Sequence, residues 1–381
     1  MRRLFLLAFV AILACSATPT APLAQTKTRC VLHSDSASAK VDSCTTTKPP
    51  APPPPAPAPP PPPPPPVSSD PCSGTFARTV NVSTASALKS ALANAQVGDR
   101  IVVADGTYPS ATAGEFRVHD HYGTASQRIA LCGSQNAILD GGDPTNLTTT
   151  LALFGARYWI VSGITITGGL FGIHADSSDH LLIDHVTIHK IGQEAISLKQ
   201  FSHHTVVQYS KIYDTGLKVA EYGEGVYVGT ANSQWVNGVP DKTDSVVIRG
   251  NTFGPNVRAE HVDIKEATTG TRVVGNTMDG TGMVESQGSG ESGWPNSPVI
   301  TQGMNALIDS NTVTHPLVAG FRVVTHGTVM TGTGNVFAYN KSDGGKYGFL
   351  IQTPAANGNI VKCNNTVTNV TGGFSNVACQ P

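Results

Sequence analysis

The sequence carries little charge of either sign. Charged residues make up 13% of its 381 positions, and the formal net charge at pH 7 is −1. A chain with so small a charge excess has no broad basic surface with which to attract nucleic acid or anionic membranes. We therefore expect neither as a partner.

The N-terminus carries an apolar run too short to span a bilayer. "LFLLAFVAILA" follows two arginines, a pattern that indicates a signal peptide. Cleavage near Ala24 would release a soluble protein, with residues 1–24 as the signal. Cleavage before Cys15, where "ILAC" resembles a lipoprotein box, would leave a lipid anchor as the one membrane attachment. Both alternatives predict an exported protein, either secreted or held at the cell surface.

Zinc-type cysteine spacing is absent, since no CxxC motif occurs in the chain. An even number of cysteines follows the signal, which in an exported protein favours disulfides over metal ligation. The plausible pairs are Cys30 with Cys44, Cys72 with Cys132, and Cys363 with Cys379.

Proline is concentrated in one segment. Fifteen of the 27 prolines lie in residues 49–66, which predicts an extended polyproline II rod of about 55 Å at ~3.1 Å per residue. We therefore divide the chain into a polar tail (25–48), a proline-rich linker (49–71) and one folded domain (72–381).

Helical periodicity is almost missing from the folded domain. Residues 83–95 predict one short helix, capped by Ser83 or Thr84. Short alternating strands then recur about every 25 residues, and an asparagine takes the same place in the later ones. These asparagines are Asn251, Asn276, Asn311, Asn335 and Asn364.

Such a period with an asparagine stack at a turn is typical of a solenoid. We predict an all-β, right-handed parallel β-helix of roughly ten coils, with the short helix capping its N-terminal edge. This texture resembles the pectate-lyase-like superfamily over roughly residues 75–381, and the resemblance implies the same fold.

Charged residues gather on one set of strands despite their scarcity elsewhere. In "EHVDIK", Val262 and Ile264 should point inward, so Asp263 and Lys265 point outward. The residues that open successive strands form a second column of Glu194, Glu224 and Glu260. One explanation is a solvated face; the other is a substrate groove.

The Glu260-x₄-Lys265 strand resembles that of the chondroitinase B and alginate lyase family. The resemblance implies that Glu260 binds Ca²⁺ and that Lys265 is the base of a β-elimination, with a pKa lowered by the cation or by burial. The family's second acid is replaced here by Arg258, so Glu224 or Asp263 would complete the calcium site.

Several other residues are candidate contacts for an acidic polysaccharide. Arg322 would take the place of the family's substrate-binding arginine, and Trp294 would stack on a sugar ring or pin its loop. The remaining candidates are Glu194, Lys199, Tyr227 and His261.

Together these patterns predict an exported, monomeric polysaccharide lyase. The alternatives are a β-helix glycoside hydrolase, which needs carboxylates at hydrolase separations, and a non-catalytic, adhesin-like glycan-binding solenoid.

Overall fold

The computed structural model describes residues 70–110, 115–285, 296–325, 331–352 and 357–381, and the backbone of two short strands before them. Those two strands, Thr28–Cys30 and Cys44–Thr46, pair antiparallel with Cys30 opposite Cys44. The signal peptide, the proline-rich segment up to residue 69 and Trp294 lie outside the described residues.

The described residues are mostly strand, as the alternation predicts. In chain order the strands are β1 (Thr28–Cys30), β2 (Cys44–Thr46), β3 (Arg78–Val82), β4 (Asp99–Val103), β5 (Gly106–Pro109), β6 (Phe116–His119), β7 (Ile129–Gly133), β8 (Ala137–Asp140), β9 (Thr149–Phe154), β10 (Trp159–Ser162), β11 (Thr165–Thr167), β12 (Phe171–Asp176), β13 (Leu182–Asp184), β14 (Thr187–His189), β15 (Ile196–Lys199), β16 (Val206–Gln208), β17 (Lys211–Tyr213), β18 (Val226–Val228), β19 (Val247–Arg249), β20 (Thr252–Phe253), β21 (Val262–Ile264), β22 (Arg272–Val274), β23 (Thr277–Asp279), β24 (Val299–Thr301), β25 (Leu307–Asp309), β26 (Thr312–Thr314), β27 (Ala319–Val323), β28 (Val336–Ala338), β29 (Lys341–Asp343), β30 (Tyr347–Ile351), β31 (Ile360–Val361), β32 (Thr366–Thr368) and β33 (Gly373–Ser375).

From β3 onward the strands form three parallel sheets. Sheet 1 contains β3, β4, β7 and then every third strand up to β31. Sheet 2 contains every third strand from β5 to β32, and sheet 3 contains every third strand from β6 to β33. Each round of the chain therefore passes through sheets 1, 2 and 3 in turn before it moves on by one strand. This arrangement confirms the predicted parallel β-helix.

The interior is a single apolar core that runs the length of the stack. The pairs that alternation places inward on sheet 3, such as Val226 with Val228 and Val262 with Ile264, are at most 1% exposed and belong to this core. The prediction of which side chains point inward on these strands is confirmed.

An asparagine ladder links the turns between sheets 1 and 2. Each amide nitrogen in the ladder donates to the next side-chain oxygen at 2.9–3.1 Å. The residue before each of the first four asparagines has a positive φ, at Gly250, Gly275, Ser310 and Tyr339, which explains the two glycines there. The ladder runs through Asn251, Asn276, Asn311, Asn340 and Asn365.

Two of the asparagines predicted for this ladder do not belong to it. Asn335 belongs to a second ladder, in which its amide donates to Asn359 at 3.0 Å. Asn364 is not in the first ladder; its side chain accepts from the backbone of Tyr339, and the adjacent Asn365 takes the ladder position.

The predicted helix is present as α1 (Ala85–Ala93), and three single-turn 3-10 segments lie at Ala220–Tyr222, Asn232–Gln234 and Val236–Gly238. Thr84, rather than Ser83, caps α1, because its hydroxyl accepts from Ala87 N. Leu88 and Leu92 are buried where the helix contacts β3, β4 and β6. Within the described part of the chain, no helix is long and apolar enough to cross a membrane.

Two of the predicted disulfides are present. Cys72 bonds to Cys132, and Cys363 bonds to Cys379. Each closes a segment near one end of the stack, as expected from their positions. The third pair, Cys30 with Cys44, stays a prediction, supported so far by the backbone pairing alone.

Candidate active site

The candidate site lies on the outer surface of sheet 3, in its middle strands. Strands β15, β18, β21, β24 and β27 pair in register, so one outward position from each forms a column. Its members are Ser197, Tyr227, Asp263, Ile300 and Arg322. The glutamates that precede three of these strands stack beside it, since Ala195 N donates to the Glu224 carbonyl and Gly225 N to that of Glu260.

These charged groups are buried, although they point away from the apolar core. Glu194, Glu224 and Glu260 are 6%, 5% and 9% exposed, and Asp263 is 2% exposed. A solvated face would leave carboxylates in water, because burying charge is costly. The burial of these carboxylates does not agree with the first explanation of the charge column, a solvated face.

Three of the carboxylates form one cluster, which we call the carboxylate cluster: Glu224, Glu260 and Asp263. One oxygen from each lies within 4.8 Å of the others. Burial, followed by the charges of Glu194 and Glu260, raises the pKa of Glu224 well above its usual value. Oε2 of Glu224 is buried without a hydrogen-bond partner among the described residues.

This donor set fits a hard divalent cation. Carboxylate oxygens are the ligands that Ca²⁺ prefers, and a bound cation would satisfy the orphaned oxygen of Glu224 and offset the repulsion between the carboxylates. The structure thus brings together the three residues predicted as metal ligands.

Lys265 lies next to this cluster and forms an ion pair with it. Its Nζ is 2.7 Å from Oδ2 of Asp263, and the side chain is 15% exposed. Burial alone lowers the pKa of Lys265, but the charges of Asp263 and Glu260 overcome burial and raise it well above the usual value. Burial therefore does not bring the pKa of Lys265 below its usual value among these side chains, and lowering by a bound cation stays a prediction.

Tyr227 lies between two lysines on the same surface. The Nζ atoms of Lys199 and Lys265 are 4.4 Å and 5.0 Å from its ring centroid. Burial is the main cause that raises the pKa of Tyr227, so its hydroxyl stays protonated at any physiological pH. Lys199 is held in turn by Glu194, at 3.0 Å from Oε1.

Arg322 lies in the same column as Asp263 but two strands further along, which is about 10 Å at ~4.8 Å per strand. Buried Ile300 stands between them, and Arg322 itself is 1% exposed. Its Nη2 donates to Oε1 of Gln352 at 2.9 Å. The structure therefore places Arg322 at the edge of the site, not at Lys265.

The prediction that His261 contacts the substrate is wrong, because its side chain is fully buried. It precedes β21 at a bend, where strand alternation no longer applies, and its ring is 0% exposed and stacks on Phe253. Burial lowers the pKa of His261 to about 3, and Asp279 opposes the shift only partly. A buried neutral imidazole inside the core has no access to substrate.

The sequence reasoning missed a second group of possible ligands. One donor atom each from Asp179, His180 and His204 lies within 4.8 Å of the others, on turns that lead from sheet 3 to sheet 1. The signal in the sequence was a histidine beside the same turn in two successive coils.

No protein-family model matches the chain, and no curated protein sequence matches it. Solved structures do. The alginate lyase from Paenibacillus sp. str. FPU-7 is 32% identical, with a TM-score of 0.69, over 79% of this chain and 99% of that one.

More distant structures share the fold alone. The pectate lyase Pel9A is 15% identical with a TM-score of 0.62, over 81% of this chain and 80% of that one. A lacto-N-biosidase from Eubacterium ramulus is 11% identical with a TM-score of 0.54, over 79% of this chain and 68% of that one. The range of names shows that the fold by itself does not fix the reaction.

Proposed function

This chain belongs to the parallel β-helix family of the Paenibacillus alginate lyase, and we propose that it is an exported polysaccharide lyase that cleaves a uronic-acid polymer by β-elimination. Alginate is the proposed substrate, because the relative that is 32% identical, and of which this chain covers 99%, is an alginate lyase. The acidic partner also agrees with the cationic groups of the site.

One observation carries the proposal: Tyr227 is held between the ammonium groups of Lys199 and Lys265, beside the carboxylate cluster. A β-elimination needs positive charge for the uronate carboxylate, a base for the proton at C5 and an acid for the leaving oxygen. The described residues offer a group of the right chemistry for each task within one small, buried region.

The proposed roles follow from the charges. Lys265 removes the proton from C5, the C4–C5 double bond forms, and the C4–O bond breaks. Tyr227, whose raised pKa keeps it protonated, donates its proton to the leaving oxygen. Lys265 then returns a proton to the tyrosine, so the site is reset. Lys199 faces the same ring and is proposed to bind the substrate carboxylate.

Lys265 needs its pKa lowered before it can act as a base. The negative charge of Asp263 stabilises the ammonium form of Lys265. If Asp263 binds a cation instead, this stabilisation is lost, and burial then lowers the pKa of Lys265. We propose that Glu224, Glu260 and Asp263 hold Ca²⁺. The ion would supply positive charge that neutralises the substrate carboxylate.

Export is proposed on two grounds. The N-terminal run has the pattern of a signal peptide, and the two disulfides are bonds that persist in oxidising compartments. Secretion as a monomer and anchoring through a lipid at Cys15 both remain compatible with this proposal.

The test is to incubate the purified protein, with calcium, with alginate, its mannuronate-rich and guluronate-rich fractions, polygalacturonate and a neutral glucan. β-Elimination leaves an unsaturated sugar at each new end, which absorbs in the ultraviolet. We expect this absorbance to rise with alginate and not with the glucan.

Two results would overturn the proposal. New reducing ends without ultraviolet absorbance would indicate a glycoside hydrolase. Saturable binding of the polymers without any cleavage would indicate a glycan-binding solenoid.

A further inference from the structure

We propose that Asp179, His180 and His204 bind a divalent transition-metal ion such as Zn²⁺, at a site distinct from the carboxylate cluster. These three residues, called here the histidine cluster, come from two consecutive turns between sheets 3 and 1, and His204 follows Asp179 by 25 positions. A metal ion there would join two coils of the solenoid.

The ligand atoms already converge. Nδ1 of His180 lies 2.9 Å and Nδ1 of His204 lies 3.0 Å from the same oxygen, Oδ1 of Asp179. Ligands about 2.0–2.1 Å from a tetrahedral zinc ion are roughly 3.4 Å apart, so these separations need only small side-chain rotations.

One of the ligand atoms is not otherwise satisfied. Despite its short distance to Asp179, Nδ1 of His180 is buried and makes no hydrogen bond among the described residues. His180 is held in place by stacking between Tyr158 and His204, with ring centroids 4.5 Å and 4.6 Å away. The stack therefore positions both imidazoles with their Nδ1 atoms towards one carboxylate.

The two histidines occupy equivalent positions of successive turns. His180 and His204 have φ values of 54° and 51°, a left-handed conformation that histidine adopts more often than most residues do. The same position is Tyr158 in the preceding coil and Ser245 in the following one, so among these four coils an imidazole stands there in two.

The donor set distinguishes this site from the carboxylate cluster. Two imidazole nitrogens and one carboxylate suit Zn²⁺, Cu²⁺ or Ni²⁺, whereas Ca²⁺ takes oxygen ligands. The side chain of His204 is 51% exposed, so water or another ligand can reach the remaining coordination positions. The site is accessible to ions from solution.

The experiment is a calorimetric titration of Zn²⁺ into the untagged full-length protein and four variants. His180→Asn and His204→Asn remove a ligand but keep a residue that tolerates positive φ. His185→Asn is the matched control, because His185 also has a positive φ of 50° and pairs with one aspartate, Asp184, at 2.8 Å. Glu260→Gln tests the carboxylate cluster.

We expect one zinc ion to bind to the wild type, the His185→Asn variant and the Glu260→Gln variant with similar affinity. Zinc affinity should fall about tenfold or more in His180→Asn and His204→Asn. Zinc should raise the unfolding midpoint only where it binds.

Three results would overturn the proposal: no zinc binding by the wild type, unchanged affinity in both cluster variants, or loss of binding in Glu260→Gln instead. Unfolding midpoints measured without zinc verify that each variant is folded. Because lyase activity is not the readout, the outcome is independent of the proposed function.

Discussion

Nζ of Lys265 lies 2.7 Å from Oδ2 of Asp263, so the proposed base is ion-paired with a proposed calcium ligand. The two roles are therefore coupled. While Asp263 stabilises the ammonium, Lys265 cannot accept a proton. When Asp263 coordinates a cation instead, burial favours the free amine of Lys265. The same contact would make the reaction depend on calcium even though the ion does not accept the proton itself.

The base is tested by Lys265→Arg. The arginine keeps a positive charge beside Asp263, which preserves the fold, but it stays protonated and cannot act as a base. We expect kcat on alginate to fall by about 10²–10⁴-fold, with a smaller change in KM. Steady-state kinetics measures both.

The matched control is Lys211→Arg, because Lys211 is an exposed lysine whose Nζ also lies over a tyrosine, at 5.1 Å from the Tyr213 ring. It should leave kcat unchanged. A near wild-type kcat in Lys265→Arg would show that another group is the base.

The proton donor is tested by Tyr227→Phe. The variant keeps the ring between Lys199 and Lys265 and removes only the hydroxyl, so the fold and substrate binding should persist. We expect kcat to fall by about 10²-fold or more. Tyr213→Phe, under Lys211, is the control. If Tyr227→Phe retains full activity, the tyrosine serves only as an apolar platform for the lysines.

Calcium binding is tested by the stability of Glu224→Gln. Folding raises the pKa of Glu224, so the folded state binds its proton more tightly than the unfolded state does. The free energy of unfolding must then fall as pH rises above the usual glutamate value of 4.5. Glutamine does not titrate, so the variant does not lose this part of the free energy of unfolding. At neutral pH, with a chelator present to remove calcium, the variant should therefore be more stable than the wild type.

Calcium should reverse this order. It should raise the unfolding midpoint of the wild type and raise that of Glu224→Gln much less, because a ligand is lost. The exposed Asp105→Asn variant should respond like the wild type. Equal calcium shifts in wild type and Glu224→Gln would rule out the carboxylate cluster as the binding site.

The fourth prediction concerns acid stability and His261. Its pKa falls from 6.5 to about 3 on folding, so below pH 6.5 the unfolded state gains a proton that the folded state does not. Stability is then lost as pH falls from 6.5 towards 3, by about 1.4 kcal/mol per pH unit for this one group.

In His261→Phe the slope of the free energy of unfolding against pH in this window should decrease by about one proton. Denaturant unfolding at several pH values measures it. The exposed His119→Gln variant is the control. An unchanged slope in His261→Phe would show that His261 is not buried in its neutral form.

Much of the site was predictable because it follows from strand alternation and a constant coil length. Val262 and Ile264 fix which way Asp263 and Lys265 point, and lateral stacking then brings Glu224 beside Glu260. The pKa of Lys265 was not predictable in this way, because it depends on how closely Asp263 and Glu260 approach in three dimensions.

The predictions that failed concern residues at turns or strand ends, where strand alternation does not determine the position of a side chain. Asn364 and Asn365 are adjacent, and only the hydrogen bond to Asn340 shows which one joins the ladder. His261 lies just outside β21, where the period of two no longer holds. The histidine cluster depends on turn geometry, which alternation does not describe.

The asparagine ladder also has a consequence for the evolution of specificity. Successive members are separated by 25 residues at Asn251 and Asn276 but by 35 at Asn276 and Asn311, while the amide bonds stay at 3.0 Å and 2.9 Å. Ten additional residues are thus accommodated without a change of register at that turn. In such a scaffold the loops can change in length and sequence during evolution while the coils keep their register. Loops beside the candidate site can therefore differ between relatives that share the same β-helix.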